Sequence, residues 1–100
     1  MAVQRIVLLK LHDAHSTDEG RAKFAAHTRE VFAKIPGIAG FEVGLPADDH
    51  ATGSWDVVIM VRFDSMEDVA AYAVEPTHRE YVEGYLNPHA HVKKAWNFEI

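Results

Sequence analysis

The chain has 100 residues, 48% hydrophobic and 25% charged, the make-up of one globular domain near the lower end of comfortable size. Ten Lys and Arg against fifteen Asp and Glu leave a formal charge of −5 with no evident basic face, which argues against a nucleic-acid partner. The absence of cysteine excludes disulfides and thiolate chemistry, and no apolar run approaches membrane-spanning length, so a cytoplasmic protein without membrane contact is the expectation.

Residues 3–11, VQRIVLLKL, are rich in β-branched and aliphatic side chains and short enough for a first strand. The polar HDAHSTDEG that follows reads as a turn, and Ser16 with Glu19 has capping-box spacing, so a helix is expected from about Thr17 to Lys34. Its apolar stripe is Phe24, Ala25, Thr28, Val31, Phe32 and Ile35, and Pro36-Gly37 ends it. GFEVGLP, residues 40–46, reads as a short strand. ADDHATGS, residues 47–54, reads as a loop in which Asp48, Asp49 and His50 are solvated. WDVVIMVRF, residues 55–63, is the strongest strand signal.

Ser65 is a good N-cap, with Glu67 and Asp68 in the first turn of the next helix. Pro76 interrupts that helix, because the residue ahead of a proline is pushed out of the helical region. Thr77 and Glu80 repeat the capping-box spacing, so the helix is expected to restart near His78 and run to Asn87-Pro88. VKKAWNFEI, residues 92–100, closes the chain as a strand. The order β-α-β-β-α-β is that of an α+β, ferredoxin-like domain with a four-stranded antiparallel sheet, and the chain carries no internal repeat or low-complexity segment.

A sheet covered by helices on one face should alternate apolar and polar residues. Strand 55–63 carries Val57, Ile59, Val61 and Phe63 on one face, but Val58 and Met60 on the other. The first strand does the same, with Val7, Leu9 and Leu11 opposed to Ile6 and Leu8. No element remains to cover the second face, so a second copy is expected to cover it, giving a two-fold homodimeric α/β barrel. Full burial of Ile6, Leu8, Val58 and Met60 would contribute roughly 1.5–3 kcal/mol per side chain.

Across nearly its whole length the chain resembles the stress-responsive A/B barrel (Dabb) family. The likeness is carried in order by IVLLKL, IPGIAGFEVG, WDVVIMVRFDSMEDVAAYAVEPTHREYVEGYL and AWNFEI, and most specifically by AAYAVEPTHREYV. The resemblance implies a dimeric barrel with a pocket between helices and sheet, but not one function, since the family spans plant stress-associated proteins, bacterial proteins of unestablished role and a plant polyketide cyclase. It puts Tyr72 and His78 at that cyclase's catalytic positions, with the histidine as base. Arg5 stands where the cyclase has a second histidine. Asn97 stands where family members often carry Asp, so any role of a carboxylate there is absent.

The residues themselves support a matching reading. His78 has an ordinary pKa of roughly 6.5, and the N-terminus of a restarted helix disfavours its imidazolium form. Tyr72, one turn earlier, can orient a carbonyl. Arg5 stays protonated, so it cannot act as a base but can hold a carboxylate or stabilise an enolate. Arg5, Val7, Leu9, Ile59 and Trp96 are expected to face them across the sheet, with Phe24, Thr28 and Tyr81 from the helices: an apolar lining with a few polar groups, suited to a small aromatic or polyketide-like ligand. Each has a structural alternative: a packing or capping role for His78, a core tyrosine for Tyr72, an ion pair for Arg5. His12, His15, His89 and His91 read as solvated histidines and not metal ligands, and no cofactor motif is present. Three functions stay open: a small-molecule-binding barrel with cyclase-like acid–base chemistry, a non-catalytic stress-associated assembly protein, and a cofactor-free monooxygenase-like barrel.

Overall fold

The computed structural model describes residues 1–100. Its four strands are β1 (Val3–Leu11), β2 (Gly40–Gly44), β3 (Val57–Phe63) and β4 (Ala90–Glu99). They form one antiparallel sheet in the order β2-β3-β1-β4, the ferredoxin-like arrangement. Opposite partners on antiparallel strands share a face, so the register fixes which side chains meet the helices. Val7 opposes Ile59 and Ala95, whereas Ile6 opposes Met60 and Trp96. Val3, Val7, Leu9 and Leu11 of β1 and Val57, Ile59, Val61 and Phe63 of β3 are buried on the inner face. Ile6, Leu8, Val58 and Met60, on the other face, are only half-buried. No helix of the chain is long and apolar enough to cross a membrane.

Helix α1 (Asp18–Phe32) packs Phe24, Ala25, Thr28 and Phe32 into the core, joined by Ile35 beyond its end, while Val31 is half-buried. Its cap differs from the one expected. Thr17 Oγ1 accepts the Gly20 N–H at 3.0 Å, and Ser16 instead donates its hydroxyl to Asp56 Oδ1 at 2.8 Å. A Cβ at Gly20 would lie 2.1 Å from the His15 carbonyl oxygen, so the entry to α1 needs a glycine there. Gly37, at φ 81°, turns the chain toward β2.

The segment read as a loop contains a short helix, α2 (Asp49–Ser54), and Asp48 is its cap, accepting the Ala51 N–H at 2.8 Å. Helix α3 (Met66–Ala73) is capped by Ser65 as expected. The restart comes two residues earlier than the sequence predicts. Glu75, not Thr77, caps α4 (Pro76–Tyr81), its carboxylate accepting the His78 N–H at 2.9 Å. Pro76 takes the first helical position, where its missing N–H costs nothing. The chain continues through a π-helical turn, Val82–Leu86, into α5 (Asn87–His89), and β4 follows directly.

One buried charge ties these layers together. The Asp56 side chain is fully buried just before β3, and its carboxylate accepts the Leu11 N–H at 2.7 Å, the Ser16 hydroxyl and an Arg21 N–H at 3.1 Å. The Lys10 ammonium lies 3.6 Å away. Burial alone would raise the Asp56 pKa, but these donors outweigh it and hold the carboxyl below its ordinary value.

Candidate functional site

A cavity of about 220 Å³ lies between the sheet and the second helical layer. Its floor is Arg5 and Val7 of β1, Ile59 of β3 and Lys93 of β4. Val69, Tyr72 and Ala73 of α3 form one wall, and His78, Arg79 and Tyr81 of α4 another. Phe32 of α1 and Val82 and Leu86 of the π-helical turn complete it.

The break between α3 and α4 positions the two aromatic polar groups. With Glu75 holding the His78 backbone and Pro76 fixing φ at the restart, the imidazole lies on the Tyr72 ring with centroids 3.8 Å apart and planes 32° from parallel. Tyr72 is itself buttressed by Phe63, edge-on at 5.0 Å. Its hydroxyl forms no hydrogen bond within the chain, and burial pushes its pKa up to about 12, with Arg5 pulling weakly the other way. The phenol is therefore a proton donor throughout the physiological range.

His78 Nδ1 is buried and has no partner in hydrogen-bonding geometry. Burial lowers the His78 pKa, and the positive charges of Arg5 and Arg79 lower it further; the nearby Tyr72 carbonyl and the Glu75 carboxylate offset this only in part. The ring is thus kept neutral, with a free nitrogen lone pair or N–H. The Arg5 guanidinium donates to the Asn97 side-chain oxygen at 3.1 Å and has no carboxylate partner. A neutral base, a protonated phenol and an unpaired cation converge on one apolar-lined space.

Of the residues singled out in the sequence, Arg5, Val7, Ile59, Tyr72, His78 and Tyr81 line this cavity. Leu9, Phe24 and Thr28 do not: all three are sealed in the core, and the Thr28 hydroxyl is engaged with the Tyr81 hydroxyl at 2.6 Å. That bond engages the Tyr81 hydroxyl too, either oxygen being able to donate, and burial raises the Tyr81 pKa. Trp96 lies opposite Ile6 on the other face of the sheet, about half exposed, and does not approach the cavity. The sequence reading missed Phe32, Val69, Ala73, Arg79, Val82, Leu86 and Lys93 as lining residues. Residues 78, 82 and 86 fall at successive four-residue steps, a helical-face signal that was available. Lys93 becomes visible only through the β4 register, which sets it opposite Leu9.

The four histidines at the termini of the elements come together in cross pairs, His12 with His91 at 5.5 Å and His15 with His89 at 4.5 Å between ring centroids. His89 Nδ1 lies 2.7 Å from the Tyr85 carbonyl oxygen. No group of three or more His, Cys, Asp or Glu side chains is arranged to hold a metal ion.

A family model for the stress responsive A/B barrel domain matches residues 3–94. No curated protein matches the chain in sequence. Among solved structures, the chain is similar to a dimeric protein of unknown function with a ferredoxin-like fold from Bacteroides fragilis, at 28% identity and TM-score 0.78, covering 99% of this chain and 96% of that one. It is similar in fold to a dimeric ferredoxin-like protein of unknown function from Thermobifida fusca, at 21% identity and TM-score 0.82, covering 100% and 92%. The same holds for a hydroxynitrile lyase from Passiflora edulis, at 14% identity and TM-score 0.79, covering 99% and 93%.

Proposed function

The chain belongs to the stress-responsive A/B barrel domain family, and from that premise we propose that it acts as a homodimer whose protomers each bind a small carbonyl-bearing molecule in the cavity above the sheet, with His78 and Tyr72 performing acid–base chemistry on it. The observation that carries the reading is the Tyr72–His78 pair: two polar rings in contact at the cavity wall, one with a buried nitrogen that has no partner, the other with an unpaired hydroxyl. Buried polar groups are nearly always satisfied, and a fold that leaves one buried ring nitrogen unsatisfied beside an unpaired hydroxyl has room there for a ligand's donors and acceptors. In the reaction that suits this set, His78 takes a proton from the carbon beside a carbonyl, and the Tyr72 hydroxyl donates a hydrogen bond to the developing enolate oxygen. Arg5 adds its positive charge to the same oxygen or to a neighbouring anionic group.

The dimer rests on a separate observation. The outer sheet face presents Ile6, Leu8, Val58 and Met60, flanked by the exposed Trp96 and Phe98, and no element of the chain covers them. Gln4, Glu42, Arg62 and Lys94 share that face, giving it a polar surround to an apolar centre, the anatomy of a protein interface. Both similar bacterial proteins are described as dimeric.

A thermal-shift screen of small aromatic and carbonyl compounds against the wild-type chain and His78→Ala tests the reading. Hits that raise the wild-type Tm and leave the variant unmoved support it. Hits that bind both alike remove His78 from the site.

A further inference from the structure

Resting on the cavity reading above, we infer that the ligand is an anion: a small carboxylate with a ring-sized apolar body, its negative charge held by Arg5 and Lys93. The lining contains three cationic side chains, Arg5, Arg79 and Lys93, and not one carboxylate, in a chain whose overall charge is −5. Chance placement in an acidic protein would favour the opposite sign. Arg79 is already paired with Glu83 on the outside of α4, so the open charges are the two on the sheet. Both have only neutral partners. Arg5 donates to the Asn97 amide oxygen at 3.1 Å, and Lys93 reaches the Asn87 amide oxygen at 3.4 Å. The alternation of β1 and β4 puts the two cations on the inner face, flanking Val7 and Ala95.

The depressed His78 pKa records the same field, since Arg5 is within electrostatic reach of the imidazole. Glu75 is the one acidic group that acts on that ring, and its carboxylate is held by the His78 backbone N–H. An anion entering the site therefore meets uncompensated positive charge at the floor and apolar contact from Val7, Ile59, Val69 and Leu86. Size narrows the class further. An apolar cavity of about 150 Å³ accommodates a benzene ring. The volume here, about 220 Å³, takes one six-membered ring and a carboxyl group.

The probes are benzoate and benzamide, which share shape and differ in charge, titrated calorimetrically into the wild-type chain and four variants. The expected result is at least about tenfold tighter binding of benzoate, the scale of one charge-assisted hydrogen bond. The gap should narrow between about 0.01 M and about 1 M salt as the screening length falls from about 30 to about 3 Å. Arg5→Gln should remove most of it and Lys93→Gln part of it. Lys94→Gln, whose side chain belongs to the opposite sheet face beside Leu8, should leave it unchanged. Equal affinity for the two probes overturns the anion assignment while leaving the cavity reading in place. Failure of both probes to bind, or benzoate binding that survives a Val82→Trp cavity-filling variant, overturns the cavity reading and the inference with it.

Discussion

Asp56 and His78 sit in the same small fold and are treated in opposite ways. Asp56, where β1 ends and β3 begins, is fully buried and accepts three hydrogen bonds, one of them from Arg21, with a second cation, Lys10, close by. His78, over the middle of the sheet, has a buried ring nitrogen with no partner and two cations that oppose its protonation. A completely satisfied polar network in a low-dielectric interior fixes one arrangement of the chain; here it locks β1, the entry to α1 and the start of β3 together. A polar group left unsatisfied costs stability, and a fold retains it where something else will satisfy it. The contrast separates a group that builds the scaffold from one that the scaffold presents.

The largest effect is expected at Asp56. Asp56→Ala leaves the Arg21 guanidinium buried without its inner partner and the Leu11 N–H unpaired, and should cost about 3 kcal/mol, lowering the Tm by roughly 10–20 °C in a thermal melt. Because the folded-state pKa of Asp56 lies below its unfolded value, its contribution is present above about pH 4 and disappears as the pH falls through the folded pKa. Acid titration of the wild type, but not of the variant, should show that loss.

Next in size is the interface. Met60→Asp puts a charge at the centre of the outer face, opposite Ile6, and should convert a dimer into a monomer of 11.2 kDa by light scattering. A wild-type chain that already runs as a monomer at micromolar concentration removes the two-fold barrel.

At the site itself the stability effects turn small and the binding effects large. His78 has a lowered folded pKa, so between that value and about 6.5 the unfolded chain holds a proton that the native chain does not. Stability should rise with pH through this window, and His78→Gln should flatten that part of the profile in denaturant melts at a series of pH values. Tyr72→Phe removes a hydroxyl with no partner and should shift stability by less than about 0.5 kcal/mol while weakening binding of a carbonyl ligand.

Much of this was legible in the sequence, and the exceptions share a cause. Strand periodicity placed Val3–Leu11 to the residue and separated the inner and outer faces of β3. The Pro76 break marked the joint on which Tyr72 and His78 depend. Local choices between neighbouring caps were not legible, because each pair, Ser16 with Thr17 and Glu75 with Thr77, offers two side-chain oxygens that can accept an N–H, and intrinsic preference favours Ser16 and Thr77, which do not cap. Long-range contact decided the first pair: Asp56, forty residues away, engages Ser16 and leaves Thr17 to cap. The face of Trp96 was hidden because antiparallel register cannot be read from one strand, and a one-residue slip sends every side chain to the other side. The same register that takes Trp96 away from the cavity brings Lys93 to it. Composition gave −5 for the chain; only the fold revealed a cavity of the opposite sign.

Whether the Tyr72–His78 cavity receives a ligand is read directly by the ring-proton NMR spectrum of the seven histidines during titration with benzoate. A saturable shift of the His78 signals is expected, absent in His78→Gln, while His12 and His91 at the far end of β1 stay where they are. Signals of His78 that remain fixed at saturating benzoate, or seven histidines that drift together, would contradict it.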